Sequence, residues 1–243
     1  MQAAGIDAPP VWFDETASTN DDARALAERG APEWTVVAAG HQTAGRGRLG
    51  RSWADAPGKA LTFSVVLRPR LEPDRAPLIS LAAATAMIAA ATAPGQGSKW
   101  PNDLVVGERK VGGILAEAAL EGGTLRYVVL GVGVNVSMRP EDFPQEMRTT
   151  ATSLAEAGGT TDPGKLLASF LRLFRPACRT LPGDAVDRYR EVCVTLGKRV
   201  RAGTIEGQDV EGVAVDLDPR GGLIVEAAGG RRTVAFGEVA HLT

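Results

Sequence analysis

GRGRLGR, residues 45–51, follows an apolar run, TVVAAG (35–40), but no helix follows it. Spaced as Gly45-x-Gly47-x-x-Gly50, it reads like a dinucleotide-binding fingerprint, which needs a strand before it and a helix after it. The chain instead continues RSWADAPGKA, and Pro57-Gly58 stops a helix before two turns could form. About 20 residues on, the fingerprint needs an acidic residue for the ribose; position 68 is an arginine. The doubly wound dinucleotide fold is therefore excluded. Three arginines and three glycines in seven residues still make an anion-binding composition. Glycine lets backbone N–H groups approach a phosphate, and arginine clamps it with two parallel hydrogen bonds.

The loop is a local feature of a balanced chain. The 243 residues carry 27 basic and 29 acidic side chains, so nothing attracts nucleic acid or an anionic membrane globally. With few residues ahead of the first strand, no helix-turn-helix is expected. The N-terminus shows no basic and apolar secretory signal, so a cytoplasmic location is expected. APLISLAAATAMIAAATA (76–93) lacks charge over 18 residues, but alanine dominates it, and a buried helix is expected rather than a membrane span. The two cysteines, Cys178 and Cys193, fall in helical stretches without C-x-x-C spacing and read as buried thiols.

Hydrophobic spacing predicts strands at 11–16, 35–40, 60–69, 98–120 (broken by a turn at Gly107-Glu108) and 125–137. Helices are predicted at 18–30, 75–93, 165–181 and 185–196. Ser18 and Thr19, with Asp21 and Asp22 three residues on, resemble a capping box, and Gly30 supplies the stop. From about residue 196 the pattern changes to short alternating runs with turns at Gly207, Pro219–Gly222 and Gly229-Gly230. The expected division is a domain over 1–195 and a small all-β domain over 196–243, too small to be very stable alone.

Two apolar strands carry glycines at close spacing: Gly112 and Gly113 after Lys110, and Gly131 and Gly133 before Asn135. Glycine weakens a strand, and a flat ligand pressed on the sheet is one reason to keep it there. KWPND (99–103) sets Lys99, Asn102 and Asp103 at a strand end, although Pro-Asn-Asp is also good turn chemistry. With two histidines, His41 and His241, a Ser-His-Asp triad has few ways to form, and no cluster suits a structural metal. Chemistry here is expected to rest on positioning and charge stabilisation, with nucleophiles supplied by substrates.

Five words in order, STN (18–20), HQTAGRGRLGRSW (41–53), KWPND (99–103), KVGGIL (110–115) and GVGVN (131–135), closely resemble the biotin protein ligases. The resemblance spans residues 11–137, and the small C-terminal domain fits it. It implies an α+β fold: a mixed β-sheet with helices in a biotin/lipoate-ligase-like catalytic domain, then a small SH3-like β-barrel. It implies ATP and biotin as substrates with Mg2+, no tightly bound prosthetic group, a biotinyl-5′-AMP intermediate, and transfer to a lysine of a biotin carboxyl carrier domain. Ser18, Thr19, Asn20 and Gln42 are cast at the biotin head. Gly45, Gly113, Ile114, Gly131 and Gly133 are cast as pocket walls. Arg46, Arg48 and Arg51 belong to a closing loop, and the last two act in catalysis with Lys110, which bridges carboxylate and α-phosphate. Trp53, Lys99, Asn102 and Asn135 fall to the nucleotide, and Asp103 to an indirect metal role. Some members of the family carry an N-terminal winged helix; with nothing upstream of Val11 to form one, a monofunctional ligase that binds neither nucleic acid nor membrane is expected, and the resemblance allows a homodimer. Lipoate and octanoyl transferases share the architecture but carry Val-x-His-Asp after the glycines. Here Ser52-Trp53-Ala54-Asp55 stands there. A non-catalytic biotin sensor is the other alternative, and the lysine and the full arginine loop speak against it.

Overall fold

Seven strands make the first sheet of the computed structural model, which describes residues 9–204, 209–235 and 237–242. They are β1 (Val11–Phe13), β2 (Val36–Ala39), β3 (Ala60–Leu67), β4 (Gln96–Lys99), β5 (Asp103–Val106), β6 (Arg109–Glu121) and β7 (Thr124–Asn135). Their order is β1-β2-β3-β7-β6-β5-β4, with β1 parallel to β2 and every other pair antiparallel. Four helices accompany it: α1 (Thr19–Glu28), α2 (Pro77–Ala91), α3 (Pro163–Arg179) and α4 (Ala185–Val192).

Side chains alternate across a strand, and β7 uses both faces. Val128, Leu130, Val132 and Val134 join the main core with α2 and α3. On the opposite face Tyr127 and Val129 pack with Ala23 and Ala27 of α1. The next two residues on that face are Gly131, which lies under Asn20 at the start of α1, and Gly133, which lies beyond the helix under Trp53. A strand that is apolar on one face and bare on part of the other makes the floor of a cleft. Helix α2 is apolar all round because it is enclosed by the sheet, α3 and α4.

The second sheet has five antiparallel strands, β8 (Arg199–Thr204), β9 (Asp209–Leu217), β10 (Leu223–Ala227), β11 (Gly230–Val234) and β12 (Gly237–His241), in the order β11-β10-β9-β8-β12. Its inner residues Val200, Ala202, Leu217, Leu223, Val225 and Val239 continue the main core. Trp100, from the KWPND word, is buried at this seam and donates its Nε1–H to the carbonyl of Gly221 at 2.9 Å. Trp100→Phe leaves that carbonyl unpaired and is expected to cost about 1–3 kcal/mol. For a chain of this size the thermal midpoint should then fall by roughly 2–10 °C in calorimetry. An unchanged midpoint would sink the idea that this bond holds the seam.

Two sequence expectations need correction. The capping box does not form: Ser18 is the N-cap but makes no side-chain cap bond. Asp21 is taken by Arg46, and Asp22 accepts from Thr16 Oγ1 at 2.6 Å. A charged or hydroxyl partner from a distant segment outcompetes the local cap. Helix α4 stops at Val192, and Cys193 is extended rather than helical. The reason is that 193–195 turns back along β4, with the Val194 N–H donating to the Ser98 carbonyl at 2.9 Å. Both thiols are buried, and burial pushes Cys178 up to about 12. The turn expected at Gly207 lies outside the described residues.

Candidate active site

The cleft has a volume of about 1080 Å3. Its floor is one face of three adjacent strands, with Thr62 and Ser64 beside Gly133 and Gly131, and these beside Gly113 and Leu115. The glycines do different jobs. A Cβ on Gly131 would sit 2.1 Å from Asn20 Oδ1, and one on Gly133 would sit 2.6 Å from the Trp53 ring. These two make room for side chains of the protein itself. A Cβ on Gly113 would meet the end of Lys110 at 3.5 Å and Asp103 Oδ1 at 3.9 Å, ordinary contacts, so this glycine opens into the cleft.

At one end, the start of α1 is buried: Ser18, Thr19 and Asn20 are all below one-tenth exposed. The Thr19 N–H and hydroxyl both donate to Gln42 Oε1, at 2.8 and 3.0 Å. Ser64 Oγ donates to Asn20 Oδ1 at 2.6 Å, and Asn20 Nδ2 donates to Glu117 at 2.6 Å. Glu117 also pairs with Arg24 at 2.8 Å and with Arg46 at 3.3 Å. Arg46 makes its closer pair with Asp21, 2.5 Å away. The hydrogen bond from Arg46 holds the Asp21 carboxyl below its usual range, and the reverse contact raises Arg46. With two carboxylates on it, Arg46 is a strut from the loop to the body. Gln42 Nε2 points at Gly45, where a Cβ would come within 3.0 Å.

The loop is a short antiparallel hairpin. The Gly47 N–H donates to the Arg51 carbonyl at 2.7 Å and the Trp53 N–H to that of Gly45 at 2.8 Å. At its tip Leu49 and Gly50 take positive φ, and Leu49 is exposed. Arg48 reaches back over the cleft to Asn102 Oδ1 (3.3 Å) and to the carbonyl of Gly237 (3.2 Å). Burial pulls its pKa down, and the nearby Asp103 charge works against that shift. A half-buried guanidinium held by two neutral oxygens invites an anion. Arg51 pairs with Glu238 at the rim. The Trp53 ring lies on Gly133 with its Nε1 buried and unpartnered among the described residues.

The far wall carries Lys110, whose ammonium lies 2.6 Å from Asp103. The main chain of Lys110 is clamped by residues 150–152, through Lys110 N–H to Thr150 O at 2.7 Å and Thr152 N–H to Lys110 O at 2.8 Å. Asn102 donates to the Ile114 carbonyl at 3.0 Å and so fixes the turn after Pro101. Asn135 donates to Thr152 O at 3.0 Å, while its Oδ1 is buried and unpartnered among the described residues. Lys99 lines the cleft near His241; burial lowers that imidazole's pKa, and the charges of Lys99 and Lys198 lower it further.

The residues cast for the site from the sequence line this one cleft except Gly45 and Asn135, both of which are buried. Sequence reasoning missed Glu117 and Ser64, which organise the α1 end. Glu117 was legible, as a carboxylate two and four residues beyond Leu115 and Gly113 on the same strand face. It also missed Glu146, Met147 and Thr150, in a segment of short 3-10 turns, and Arg201, Asp209 and Glu238 from the second sheet. No local pattern marks those.

Residues 12–135 match the biotin/lipoate A/B protein ligase family, and residues 195–242 match the biotin protein ligase C-terminal domain. A biotin–[acetyl-CoA-carboxylase] ligase of Mycobacterium tuberculosis is 38% identical over 241 residues, covering 94% of this chain and 87% of the relative. The biotin protein ligase of Aquifex aeolicus, solved in complex with biotin and ATP, has a TM-score of 0.77 at 28% identity, covering 95% of this chain and 97% of that one. The Leishmania major ligase in complex with biotinyl-5-AMP has a TM-score of 0.61 at 27% identity, covering 97% and 100%. A matching core, a matching C-terminal domain and a cleft built from the same five words lead to one conclusion: the chain belongs to the biotin protein ligase family.

Proposed function

We propose that the protein joins biotin to a carrier protein in two steps. A biotin carboxylate oxygen attacks the α-phosphorus of ATP, the bond to pyrophosphate breaks, and biotinyl-5′-AMP forms. A lysine amine of a biotin carboxyl carrier domain then attacks the acyl carbon; AMP leaves and the amine loses a proton. The observation that carries this reading is the placement of Lys110 at the edge of the Gly113 floor, with Arg48 reaching over from the loop. Two anions meet in the first step. At 4 Å two like charges repel by about 4 kcal/mol at an effective dielectric of 20, so cations on both sides of the contact are needed.

In this reading Gln42, Thr19 and Ser18 face the ureido head, and Asn20, already bonded at both ends of its amide, shapes that wall. Gly113 is the open floor under the rings, Ile114 backs it from the core, and Gly131 and Gly133 shape the walls through the Asn20 and Trp53 side chains that lie on them. Arg48, Arg51, Lys99 and Lys110 serve the phosphates, and Trp53, Asn102 and Asn135 the nucleoside. Residues 1–195 supply floor, loop and lysine, and 196–243 close the side of the cleft. Mg2+ entering with ATP needs one or two protein carboxylates beside the phosphates. Asp103 stands next to Lys110, and Glu146 and Glu108 line the same cleft, so the residues fit such an ion. It would neutralise phosphate charge. A cytoplasmic carrier, with no nucleic-acid or membrane partner, completes the reading.

The test is pyrophosphate release with biotin and MgATP, lipoate as the control acid, and a carrier domain added second. Biotin-dependent release followed by a gain of one biotin per carrier is the expected result. Release with lipoate alone would move the chain to the lipoate branch, and biotin binding without release would make it a sensor.

A further inference from the structure

The neck of the arginine loop is closed by a contact that the reaction itself does not require. Main-chain bonds tie the two sides of the loop at Gly58 N–H to Gly40 O (3.0 Å) and at Trp53 N–H to Gly45 O (2.8 Å). Between these points the Asp55 side chain spans the neck. Asp55 Oδ1 lies 2.5 Å from His41 Nδ1 and accepts from the Gln42 N–H at 3.4 Å. The Asp55 side chain is 1% exposed, and its Oδ2 has no partner among the described residues. A carboxylate this buried is costly unless the bond it does make is strong. Its position is also specific. His41 and Gln42 enter the loop, Asp55 leaves it, and Gln42 is the residue whose carboxamide oxygen takes both bonds from Thr19.

We propose that His41 and Asp55 are a positioning pair that clamps the neck of the arginine loop and, through the Gln42 main chain, holds the Gln42 carboxamide against α1. The inference rests on reading the cleft as the biotin and ATP site. Neither residue lines the cleft, so neither touches substrate. The clamp acts on the loop's closure, on the biotin end in particular, and on how well the loop retains the acyl adenylate.

The full-length chain is tested with Asp55→Ala and with His41→Gln, whose partly exposed side chain makes a folding failure less of a hazard. Three readouts are taken: KM for biotin against KM for ATP, the share of adenylate lost to solvent rather than transferred to a carrier domain, and trypsin cleavage after Arg46, Arg48 and Arg51. Losing one charge-assisted bond should raise KM for biotin by about tenfold. KM for ATP should stay within about twofold, adenylate loss should rise, and cleavage in the loop should accelerate by about tenfold. Because the two residues act as a unit, the double variant should be no worse than Asp55→Ala alone. Folded variants with wild-type KM for biotin and wild-type trypsin rates overturn the clamp. So does a loss of activity that only tracks a fall in thermal midpoint, with the loop cleaved at the wild-type rate. If the wild-type chain itself shows no biotin-dependent pyrophosphate release, the reading of the cleft falls and the positioning role falls with it. A wild type that turns over beside indifferent variants removes the clamp alone.

Discussion

Lys110→Ala should slow formation of the acyl adenylate by about 10²–10³-fold, or roughly 3–4 kcal/mol of transition-state stabilisation. Two effects add. The ammonium that would face both reacting anions is lost, and Asp103, 2.6 Å from it, is left without its counter-charge beside the phosphate path. The main chain at 110 is held independently by residues 150–152, so the strand should keep its place and the fold its stability. Lys110→Arg keeps the charge but spreads it over a plane, and should recover only part of the rate. Pyrophosphate release under single-turnover conditions, with circular dichroism to verify folding, decides the matter. A near-native rate in Lys110→Ala would remove the lysine from the chemistry.

Gly131→Ala is expected to damage both binding and folding. Its new methyl would stand 2.1 Å from Asn20 Oδ1, well inside contact. Asn20 cannot swing aside cheaply, because Ser64 and Glu117 hold both ends of its amide and it is almost fully buried. Overpacking of this kind costs about 1–3 kcal/mol of stability. Displacing α1 also shifts Thr19 and the Gln42 carboxamide it holds, so biotin affinity should fall by about 10- to 100-fold, the equivalent of roughly 1.4–2.8 kcal/mol. Gly113→Ala is the contrasting variant. Its methyl makes only ordinary contacts, with the end of Lys110 at 3.5 Å and Asp103 Oδ1 at 3.9 Å, so stability should hold while the methyl enters the space assigned to biotin. Calorimetry together with biotin titration separates the two. Equal behaviour of the two variants would refute the distinction between a glycine that admits a side chain and one that admits a ligand.

Much of the site was legible in the linear chain because its chemistry is written in unusual local composition. Arginines among glycines, a lysine one residue ahead of paired glycines and an asparagine ending a valine run all stand out from what a packed core would select. Amphipathic α1, α3 and α4 followed from period-3.6 spacing, and the C-terminal strands from alternation, whereas α2, β2 and β3 stood out as continuous apolar runs; all of these signals depend only on neighbouring residues. The capping box was misread for the opposite reason. Ser18, Asp21 and Asp22 have the right local spacing, but Arg46 and Thr16 claim the carboxylates from elsewhere in the chain.

What the sequence by itself determined is therefore the inventory: mixed sheet, small β domain, arginine loop, glycine floor and a lysine without a protein nucleophile. Only the tertiary structure decided who meets whom. It set Glu117 under Arg46, laid Trp53 on Gly133, backed Lys110 with residues 150–152, and brought β12 to the loop arginines. The physical reason is range. Backbone preference and burial periodicity act over a few residues and leave a mark in the sequence. Contacts such as Arg48 to Gly237, 189 residues apart, depend on how the two sheets share one core, and no local pattern encodes that.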